Sequence, residues 1–349
     1  MPVVLDEVAV PVAPHPATEP PEARGTARDE VRLLVAEPDR VSHAVFRDIG
    51  AFLSSGDVLV VNTSATLAAA VDARRAAGPV TLHFSTVLPD GTWAVELRPG
   101  RRATGPVMDV RAGEVVDLPG GARLRVLAPH TATAGVLGVA RLWRCEVAVD
   151  GPVPAYLSVH GRPIAYDYVP ADWPLTSYQT VFARDAGSAE MPSAGRPFSH
   201  SLVTDLATRG VAVAPVTLHT GVSSLEKDEA PLPERYNVPE ATARLVSATR
   251  LAGGRVVAVG TTVTRALETV ADASGGVHPG LGWTDLVLGP RRPARVVDGL
   301  VTGWHAPGAS HLRLLEAVAG ADLVATAYAA ARANGYLWHE FGDSALFLP

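Results

Sequence analysis

The stretch VVAVGTTVTRALETV, residues 256–270, joins an apolar β-branched run to a charged helix through the Gly-Thr-Thr turn at 260–262. In open α/β sheets, ligands bind outside the carboxyl ends of the strands, where backbone N–H groups of the next helix are free. Arg265 follows within the first helical turn. These residues predict a site for an anion or a polar ligand. Alternatively, Arg265 and Glu268, three positions apart, form only a surface ion pair.

Two histidines close other predicted strands. His219 ends VAVAPVTLH and His305 ends GLVTGWH, and a loop with Gly or Pro follows each. A neutral imidazole near pH 7 can accept a proton, so each is a candidate general base. Each can also be a hydrogen-bonded structural residue. Neither has a third ligand at metal spacing, so the sequence predicts no metal site.

Composition and missing motifs exclude several protein classes. The net charge of −6 predicts no large nucleic-acid surface, although a local basic patch remains compatible with it. The sequence lacks G-x-G-x-x-G, a Walker lysine loop and G-x-S-x-G, which argues against dinucleotide oxidoreductases, P-loop enzymes and α/β-hydrolases. The single cysteine, Cys145, lies in a predicted strand and excludes an intrachain disulfide. Without a signal peptide or a membrane-spanning segment, we expect a cytoplasmic protein.

The order of the predicted elements indicates where these groups lie. VRLLVAE and GDVLVVN are short apolar strands, and residues 70–150 alternate at period two between Gly, Pro and Asp turns, which predicts a small all-β module. Farther on, apolar strands alternate with the helical patterns ERYNVPEATARLVSATRLAG and ASHLRLLEAVAGADLVATAYAAARANG. This order predicts a mostly parallel sheet covered on both faces. The Pro-rich arm 11–28 is expected to be ordered only if it docks.

Seven ordered blocks resemble the signature blocks of the S-adenosylmethionine:tRNA ribosyltransferase-isomerase (QueA) family of the queuosine pathway. They are YQTVFARDAGSAEMPSAG, GVAVAPVTLHTG, ERYNVPEATA, AVGTTVTRALET, GWTDLVLGP, VVDGLVTGWHAPGASHLRLLEAVAGADLVATAYAAA and GYLWHEFGDSALFL. The similarity covers nearly the whole chain, including the first strands and the all-β module. So many blocks in order make a chance match improbable.

The resemblance implies an α/β domain with a mostly parallel, barrel-like sheet, interrupted by a small antiparallel β-barrel. We place the α/β domain at 1–68 and 151–349 and the barrel at 69–150. The family transfers the ribosyl part of S-adenosylmethionine to the aminomethyl group of a 7-deazaguanine base in tRNA, which yields epoxyqueuosine, adenine and methionine. S-adenosylmethionine is consumed as a substrate, and neither a metal nor a redox cofactor is expected. The sulfonium acidifies the C5′ protons, so a positioned base can form a carbanion that expels adenine before the amine attacks.

The resemblance also suggests site residues. The predicted catalytic residues are His305 and His219, with Glu268 and Asp343 in reserve. The predicted substrate-binding residues are Gly260, Thr261, Thr262, Arg265, Tyr178, Gln179, Ser193, Gly195, Glu234 and Asp298. The predicted tRNA-binding residues are Arg98, Arg101 and Arg102, which lie in the hairpin loop ELRPGRRATGP. That loop can equally be a solvated basic surface.

The chain departs from the family pattern in the loops that follow its strands. Two family arginines are absent from 62–70, a family histidine is absent from 191–198, and a His-Met-His block is replaced at 231–233. The block after His305 also differs. One alternative is therefore a paralogue that uses S-adenosylmethionine with a small-molecule or nucleoside acceptor, since a tRNA needs phosphate contacts. The other is a non-catalytic S-adenosylmethionine-binding protein, which retention of the candidate catalytic residues argues against. The oligomeric state stays open.

Overall fold

The protein is built around two sheets, a nine-stranded sheet and a closed six-stranded barrel. The structure, a computed structural model, describes residues 15–101, 105–130, 140–223, 231–305 and 310–349. The strands are β1 (His15–Pro16), β2 (Arg32–Glu37), β3 (Arg40–Val45), β4 (Val58–Asn62), β5 (Ser64–Thr66), β6 (Ala70–Arg75), β7 (Gly78–Val87), β8 (Trp93–Arg98), β9 (Val115–Asp117), β10 (Arg123–Pro129), β11 (Leu142–Ala148), β12 (Asp185–Ser188), β13 (Ala212–Leu218), β14 (Glu234–Val238), β15 (Val256–Val259), β16 (Gly280–Thr284), β17 (Gly299–Gly303), β18 (Leu337–Trp338) and β19 (Ser344–Phe347). The α-helices are α1 (Val153–His160), α2 (His200–Thr208), α3 (Glu240–Leu251), α4 (Thr261–Thr269), α5 (Ser310–Ala319) and α6 (Ala321–Ala333).

The large sheet is only partly parallel. Its strand order is β16-β14-β13-β4-β15-β17-β19-β2-β3. The central strands β13, β4, β15 and β17 are parallel to one another, as are β19 and β2, whereas the remaining neighbours are antiparallel. The expectation of a mostly parallel sheet is therefore confirmed at the centre. The expectation of a barrel-like sheet is wrong, because the sheet ends at two edge strands.

The apolar strands are buried because helices cover both faces of the sheet. Along β4, Val58 and Val60 pack into the core formed with α3, α4, α5 and α6. Leu59 and Val61 point the other way, into the core formed with α2 and the 3-10 helix Phe46–Ala51. Successive side chains of a strand point to opposite faces, so a continuous apolar run is required here.

One predicted helical segment is part strand. In ERYNVPEATARLVSATRLAG, the first five residues form β14, and α3 begins after Pro239. Proline disfavours helical backbone in the residue before it, so the helix begins only beyond it. Tyr236 of β14 pairs with Leu218 of β13, and this pairing adds an antiparallel strand beside the parallel centre.

The last helical segment is two helices. Gly320, with φ of +78°, separates α5 from α6. Val324 and Ala327 of α6 are buried in the core against the sheet. Among the described residues, no single helix has the length and apolarity to cross a membrane, and His311–Ala319 with Ala321–Ala333 reach that level only as a pair bent by 118°.

The described part of the N-terminal arm docks on the C-terminal segment. His15–Pro16 pairs in parallel with Leu337–Trp338. Arg24 donates to the carbonyl oxygen of Phe341 at 3.1 Å. Residues 11–14 of the predicted arm lie outside the described residues.

The inserted module is the antiparallel barrel that the sequence predicts. Its strands follow the closed order β10-β11-β8-β7-β6-β9. Alternate residues of β8, Trp93, Val95 and Leu97, fill the interior with the apolar side chains of the other strands. Cys145 of β11 lies in the same core, and burial raises the pKa of its thiol to about 12. A thiol held protonated in this way is a packing residue and not a nucleophile.

Gly161 lies where the chain leaves the barrel and returns to the α/β part. Its neighbour Arg162 bridges Ala70, and a Cβ on Gly161 would lie 2.0 Å from the carbonyl oxygen of Ala68. We expect Gly161→Ala to lower the free energy of unfolding in urea by about 1–3 kcal/mol, because the backbone must move apart. Gly100→Ala is the control, since nothing lies within 4 Å of its Cβ position. Equal stabilities of the two variants would contradict this close approach.

Candidate active site

A cavity of about 470 Å³ lies at the carboxyl ends of the central parallel strands. Its lining comes from the ends of these strands and the segments that follow them, represented by Thr302 within β17 and by Thr66, Thr220 and Gly260 after the other three. Side chains near 164–168, 189–194 and 339–340 line the rest. This is the edge at which the sequence places a ligand.

The cavity brings together eight of the predicted site residues. Those that line it are Tyr178, Ser193, Glu234, Gly260, Thr261, Thr262, Arg265 and His305. Those that do not are His219, Gln179, Gly195, Glu268, Asp298 and Asp343. Gly195 ends the 3-10 helix Ser193–Gly195 and packs against Thr180, behind the lining.

The Gly-Thr-Thr turn forms the start of α4. Gly260 has φ of +99°, a value that disfavours other residues, and its N–H donates to Val301 in the neighbouring strand. Thr262 accepts a hydrogen bond from the Asn62 amide at 3.3 Å. Within the described part of the chain, no side chain caps this helix, so N–H groups of its first turn are available to a ligand.

Arg265 lines the cavity, but its donors are committed to the protein. Its guanidinium forms an ion pair with Glu234 and donates to the backbone carbonyl oxygens of Leu232, Thr284 and Leu286. The expected alternative of a surface ion pair with Glu268 is wrong, because Arg265 is only 6% exposed and turns to a different carboxylate. Burial raises the pKa of Glu234, against the opposing effect of Arg265. The N–H groups at the start of α4 are therefore the donors at this turn that remain available to an anion.

Two tyrosine–glutamate pairs form one wall of the cavity. The Tyr166 hydroxyl donates to Glu190, and the Tyr168 hydroxyl donates to Glu340 at 2.5 Å. The tyrosine rings stack with centroids 5.9 Å apart, and His339 stacks on Tyr168 at 4.3 Å. Burial raises the pKa values of Glu190 and Glu340. Sequence analysis missed this wall, and its only signal was two tyrosines two positions apart, which share a face in extended backbone.

His339 is held in an unusual conformation. Its φ of +69° is the only positive value for a non-glycine residue in the described chain. Its carbonyl oxygen accepts a hydrogen bond from Gly342, where a Cβ would lie 2.4 Å from the Leu337 carbonyl oxygen. A left-handed histidine beside a cavity is backbone strain kept by its surroundings.

His305 carries an accessible base on the cavity wall. Thr302 Oγ1 lies 3.1 Å from His305 Nε2 and donates its own proton to the carbonyl oxygen of Gly303. In the tautomer that this arrangement allows, Nε2 donates to Thr302 Oγ1 and the lone pair lies on Nδ1; if Thr302 donates to Nε2 instead, the two ring nitrogens exchange roles. The ring stacks on His311 at 4.4 Å. Burial, together with repulsion from His311 and His339, holds the pKa of His305 well below its usual value, so the imidazole is neutral at pH 7.

His219 and Gln179 support the lining from behind. His219 Nδ1 is 2.7 Å from the Ser64 hydroxyl, and its ring packs against Gly187. Burial lowers the pKa of His219 to about 4. The Gln179 amide bonds both the N–H and the carbonyl oxygen of Thr66. We expected both side chains to contact substrate, and this expectation is corrected. His219 bonds a buried hydroxyl group, and Gln179 bonds the backbone.

Two predicted acidic residues hold strands in place. The Glu268 carboxylate is 1% exposed and accepts hydrogen bonds from three consecutive N–H groups, those of 295–297. The Asp298 carboxylate accepts from the Val256 N–H at 2.9 Å. Both carboxylates lie outside the cavity lining, so the predictions of a reserve base and a substrate ligand are corrected to structural roles.

Asp343 has the same kind of role at the C-terminus. Its carboxylate accepts from the N–H of Arg32 at 2.9 Å and from the N–H of Leu337 at 2.8 Å. It also forms an ion pair with the Arg32 guanidinium at 2.6 Å. With its oxygens occupied and its side chain 5% exposed, Asp343 ties β2 to the C-terminal segment and is not a candidate base.

The predicted tRNA-binding arginines do not form one exposed loop. Arg98 is 2% exposed and donates to Glu96 at 2.8 Å, because its position in β8 turns it to the covered outer face of the barrel. Arg101 is exposed and pairs with Asp72 at 2.6 Å. Arg102 lies outside the described residues. The prediction of tRNA contact is thus corrected for Arg98 and stays a prediction for the other two.

Taken with the sheet and the barrel, this cavity defines an α/β protein whose ligand site is built from acidic, aromatic and imidazole side chains. The sequence matches the family described as "Queuosine biosynthesis protein" over residues 12–347. The chain belongs to this family, which confirms the resemblance.

Curated relatives in the same family are named S-adenosylmethionine:tRNA ribosyltransferase-isomerase. The one from Acidiphilium cryptum is 36% identical over 345 residues, which cover 95% of this chain and 94% of that protein. The one from Desulforamulus reducens is 32% identical over 335 residues, which cover 92% and 94%. A crystal structure of S-adenosylmethionine tRNA ribosyltransferase from Thermotoga maritima is 30% identical, covers 95% of this chain and 96% of its own, and has a TM-score of 0.51.

The contacts of Glu268 predict a stability effect. We expect Glu268→Gln to lower the free energy of unfolding by about 1–3 kcal/mol, because an amide oxygen cannot accept all three N–H groups as a carboxylate does. Urea unfolding followed by circular dichroism measures it. The control is Glu240→Gln, an exposed carboxylate paired only with Arg244 one helical turn away. Unchanged stability of Glu268→Gln would return Glu268 to the list of candidate bases.

Proposed function

We propose that this chain transfers and isomerises the ribosyl part of S-adenosylmethionine onto a 7-aminomethyl-7-deazaguanine base in tRNA, with epoxyqueuosine, adenine and methionine as products. The observation that carries the proposal is the charge of the cavity. Glu190 and Glu340 face the cavity. The one arginine among its described lining residues, Arg265, is already paired with Glu234. S-adenosylmethionine carries a sulfonium and an ammonium, and both suit an acidic, tyrosine-lined wall.

The cavity also matches the other parts of this ligand. A volume of about 470 Å³ lies within the range of small-molecule sites. The methionine carboxylate suits the uncapped start of α4. The adenine ring suits the apolar lining contributed by Leu286, Leu288 and Leu314. Each contact is part of the proposal and follows from the chemistry of the lining.

His305 is the residue proposed to move the first proton. The adjacent sulfonium acidifies the C5′–H bond, and the lone pair on His305 Nδ1 accepts the proton while the C–H electron pair stays on carbon. The carbanion pair forms a C4′–C5′ double bond as the C4′–O4′ bond opens, and the O4′ electron pair forms the C1′ carbonyl as the bond to adenine breaks. The acceptor amine then adds to C4′ of the unsaturated sulfonium, C5′ bonds to the C1′ carbonyl carbon, and the resulting alkoxide displaces methionine from C5′, which closes the epoxide. This role uses the tautomer in which Nε2 donates to Thr302 Oγ1, and the stack on His311 holds the plane of the ring.

We expect His305→Gln to slow adenine release by on the order of 100-fold or more, because glutamine cannot take the proton. Release is measured by mass spectrometry of reactions with S-adenosylmethionine and tRNA that bears the deazaguanine. Since the pKa of His305 lies well below 6.5, the wild-type rate should persist as the pH falls through 6.5 and be lost only at lower pH. His200→Gln, an exposed residue of α2, is the control. Wild-type rates in His305→Gln would exclude His305 as the base.

A second candidate function keeps the donor and changes the acceptor to a free deazapurine or another small nucleoside. The arginines of the barrel favour it, because they already have carboxylate partners. Arg98 is buried and forms an ion pair with Glu96, and Arg101 forms ion pairs with Asp72 and Asp172. A tRNA substrate needs arginines or other donors at its phosphates. A tRNA acceptor would place the protein in the cytoplasm, as the single cysteine also suggests.

The two acceptors are separated by salt dependence. If tRNA is bound by the barrel loop, replacing Arg101 and Arg102 together by Gln should weaken binding at low salt. The slope of log affinity against log salt should then fall by about one to two, because each lost phosphate contact releases fewer counterions. Arg144→Gln, an exposed barrel arginine paired with Asp90, is the control. Adenine release with free 7-aminomethyl-7-deazaguanine, and no salt-dependent tRNA binding, would favour the second candidate.

A further inference from the structure

The barrel presents a buried, charged outer face to the rest of the protein. Along β7 and β8 the interior positions are apolar, so the alternate residues His83, Ser85, Glu96 and Arg98 point outward. These four side chains are nonetheless no more than 2% exposed. Arg141, just before β11, joins them through an ion pair with Glu96 at 3.1 Å. We call these five residues the buried barrel face.

The buried barrel face holds a loop that lines the cavity. The Ser85 hydroxyl accepts a hydrogen bond from the N–H of Val222 at 3.1 Å. Arg141 donates to the carbonyl oxygen of Ser223 at 3.0 Å. Both partners lie in the segment after β13 and line the cavity. The barrel therefore fixes the backbone of this segment from the side opposite the ligand.

Ser223, which the barrel holds in place, in turn forms hydrogen bonds with Glu190. Its N–H donates to Glu190 Oε1 at 2.7 Å, and its hydroxyl donates to Oε2. Tyr166 donates to Oε1 as well, and the Arg98 guanidinium lies 5.9 Å from the Tyr166 ring. A carboxylate offers four lone-pair positions, so the donors within the described residues leave one on Oε2. All three donors are neutral, and among the described residues no arginine, lysine or histidine forms an ion pair with Glu190.

We propose that Glu190 is the amine-recognising residue of the acceptor site and that the buried barrel face positions it. The inference rests on the proposed function for the acceptor class, an alkylammonium attached to a planar heterocycle. A buried carboxylate with neutral donors and one open acceptor position lacks only a cation. The stacked tyrosines beside it provide a flat wall for the heterocycle.

The same carboxylate prepares the nucleophile. The ammonium donates an N–H hydrogen bond to Glu190 Oε2, and the proton then moves to that oxygen while the N–H electron pair stays on nitrogen. The neutral amine keeps a lone pair for the new C–N bond. Glu190 is suited to hold this proton because its surroundings favour the protonated carboxyl.

The test compares two ligands with four proteins. The ligands are 7-aminomethyl-7-deazaguanine and 7-methyl-7-deazaguanine, which lacks the amine, and calorimetry gives their affinities. Wild type should prefer the amine by about tenfold or more, and Glu190→Gln should show no preference. Glu96→Gln should lose several-fold of the preference and speed amide exchange of 220–223, because the ion pair of Arg141 with Glu96 is lost. The control Arg144→Gln should match wild type. If Glu96→Gln does not fold, Ser223→Ala replaces it, with the same expected loss.

Each result decides between defined alternatives. Equal binding of the two ligands by wild type, or no binding of either, overturns the inference, as does an amine preference that survives in Glu190→Gln. Wild-type exchange and preference in Glu96→Gln overturn the positioning by the barrel. The proposed function is judged separately by adenine release from S-adenosylmethionine. Release without amine preference leaves the function and removes Glu190, whereas amine preference without release leaves Glu190 and removes the function.

Discussion

The common edge at which β13, β4, β15 and β17 end is the constraint on which the site depends. Parallel strands deliver their following loops to one side of the sheet, so residues far apart in sequence meet there. Thr66, Thr220 and Gly260 follow three of these strands, Thr302 lies near the end of the fourth, and all four line one cavity. The antiparallel strands at the flanks widen the sheet without changing this edge. The ligand site is therefore a direct result of strand direction.

The charged residues that hold the backbone in place are different from the carboxyl groups that line the tyrosine wall of the cavity. Four charged residues bond backbone groups and keep the loops in place, namely Arg265, Glu268, Asp298 and Asp343. Buried charges persist only when they are paired and hydrogen-bonded, and these residues meet that condition within the protein. The carboxylates on the tyrosine wall are bonded by neutral groups instead. Hydrogen bonds from neutral groups therefore hold these two carboxyl groups, and no arginine or lysine among the described residues forms an ion pair with them.

The sequence predicted the parts of this structure that local patterns determine. The apolar runs of β4, β13 and β15, the turn at Gly260 and the alternation of the barrel strands all follow from side-chain periodicity. The direction of the flanking strands could not be predicted, because pairing of β14 with β13 is a tertiary choice that the pattern ERYNV does not encode. The placement of His305 at the cavity follows from its position after a central strand, while its catalytic role stays a prediction.

Site prediction failed for residues whose role depends on a distant partner. Glu268 and Asp343 are acidic residues in family blocks, and only the fold shows that backbone N–H groups surround them. Arg98 belongs to a basic stretch, and only the contact between barrel and sheet shows that it is covered. Glu190 carried no signal, since its importance arises from Tyr166 and from Ser223, 33 positions later.

The position of β19 governs the order in which this chain can be completed on the ribosome. Residues 344–347 pair with β17 on one side and with β2 on the other, so among the described strands the β2–β3 hairpin joins the large sheet only through β19. During translation, this edge of the hairpin has no partner strand until β19 emerges. Pairing across more than 300 residues is slow, and exposed edges invite association with other chains. Loss of only the final residues would therefore disconnect the N-terminal hairpin from the sheet.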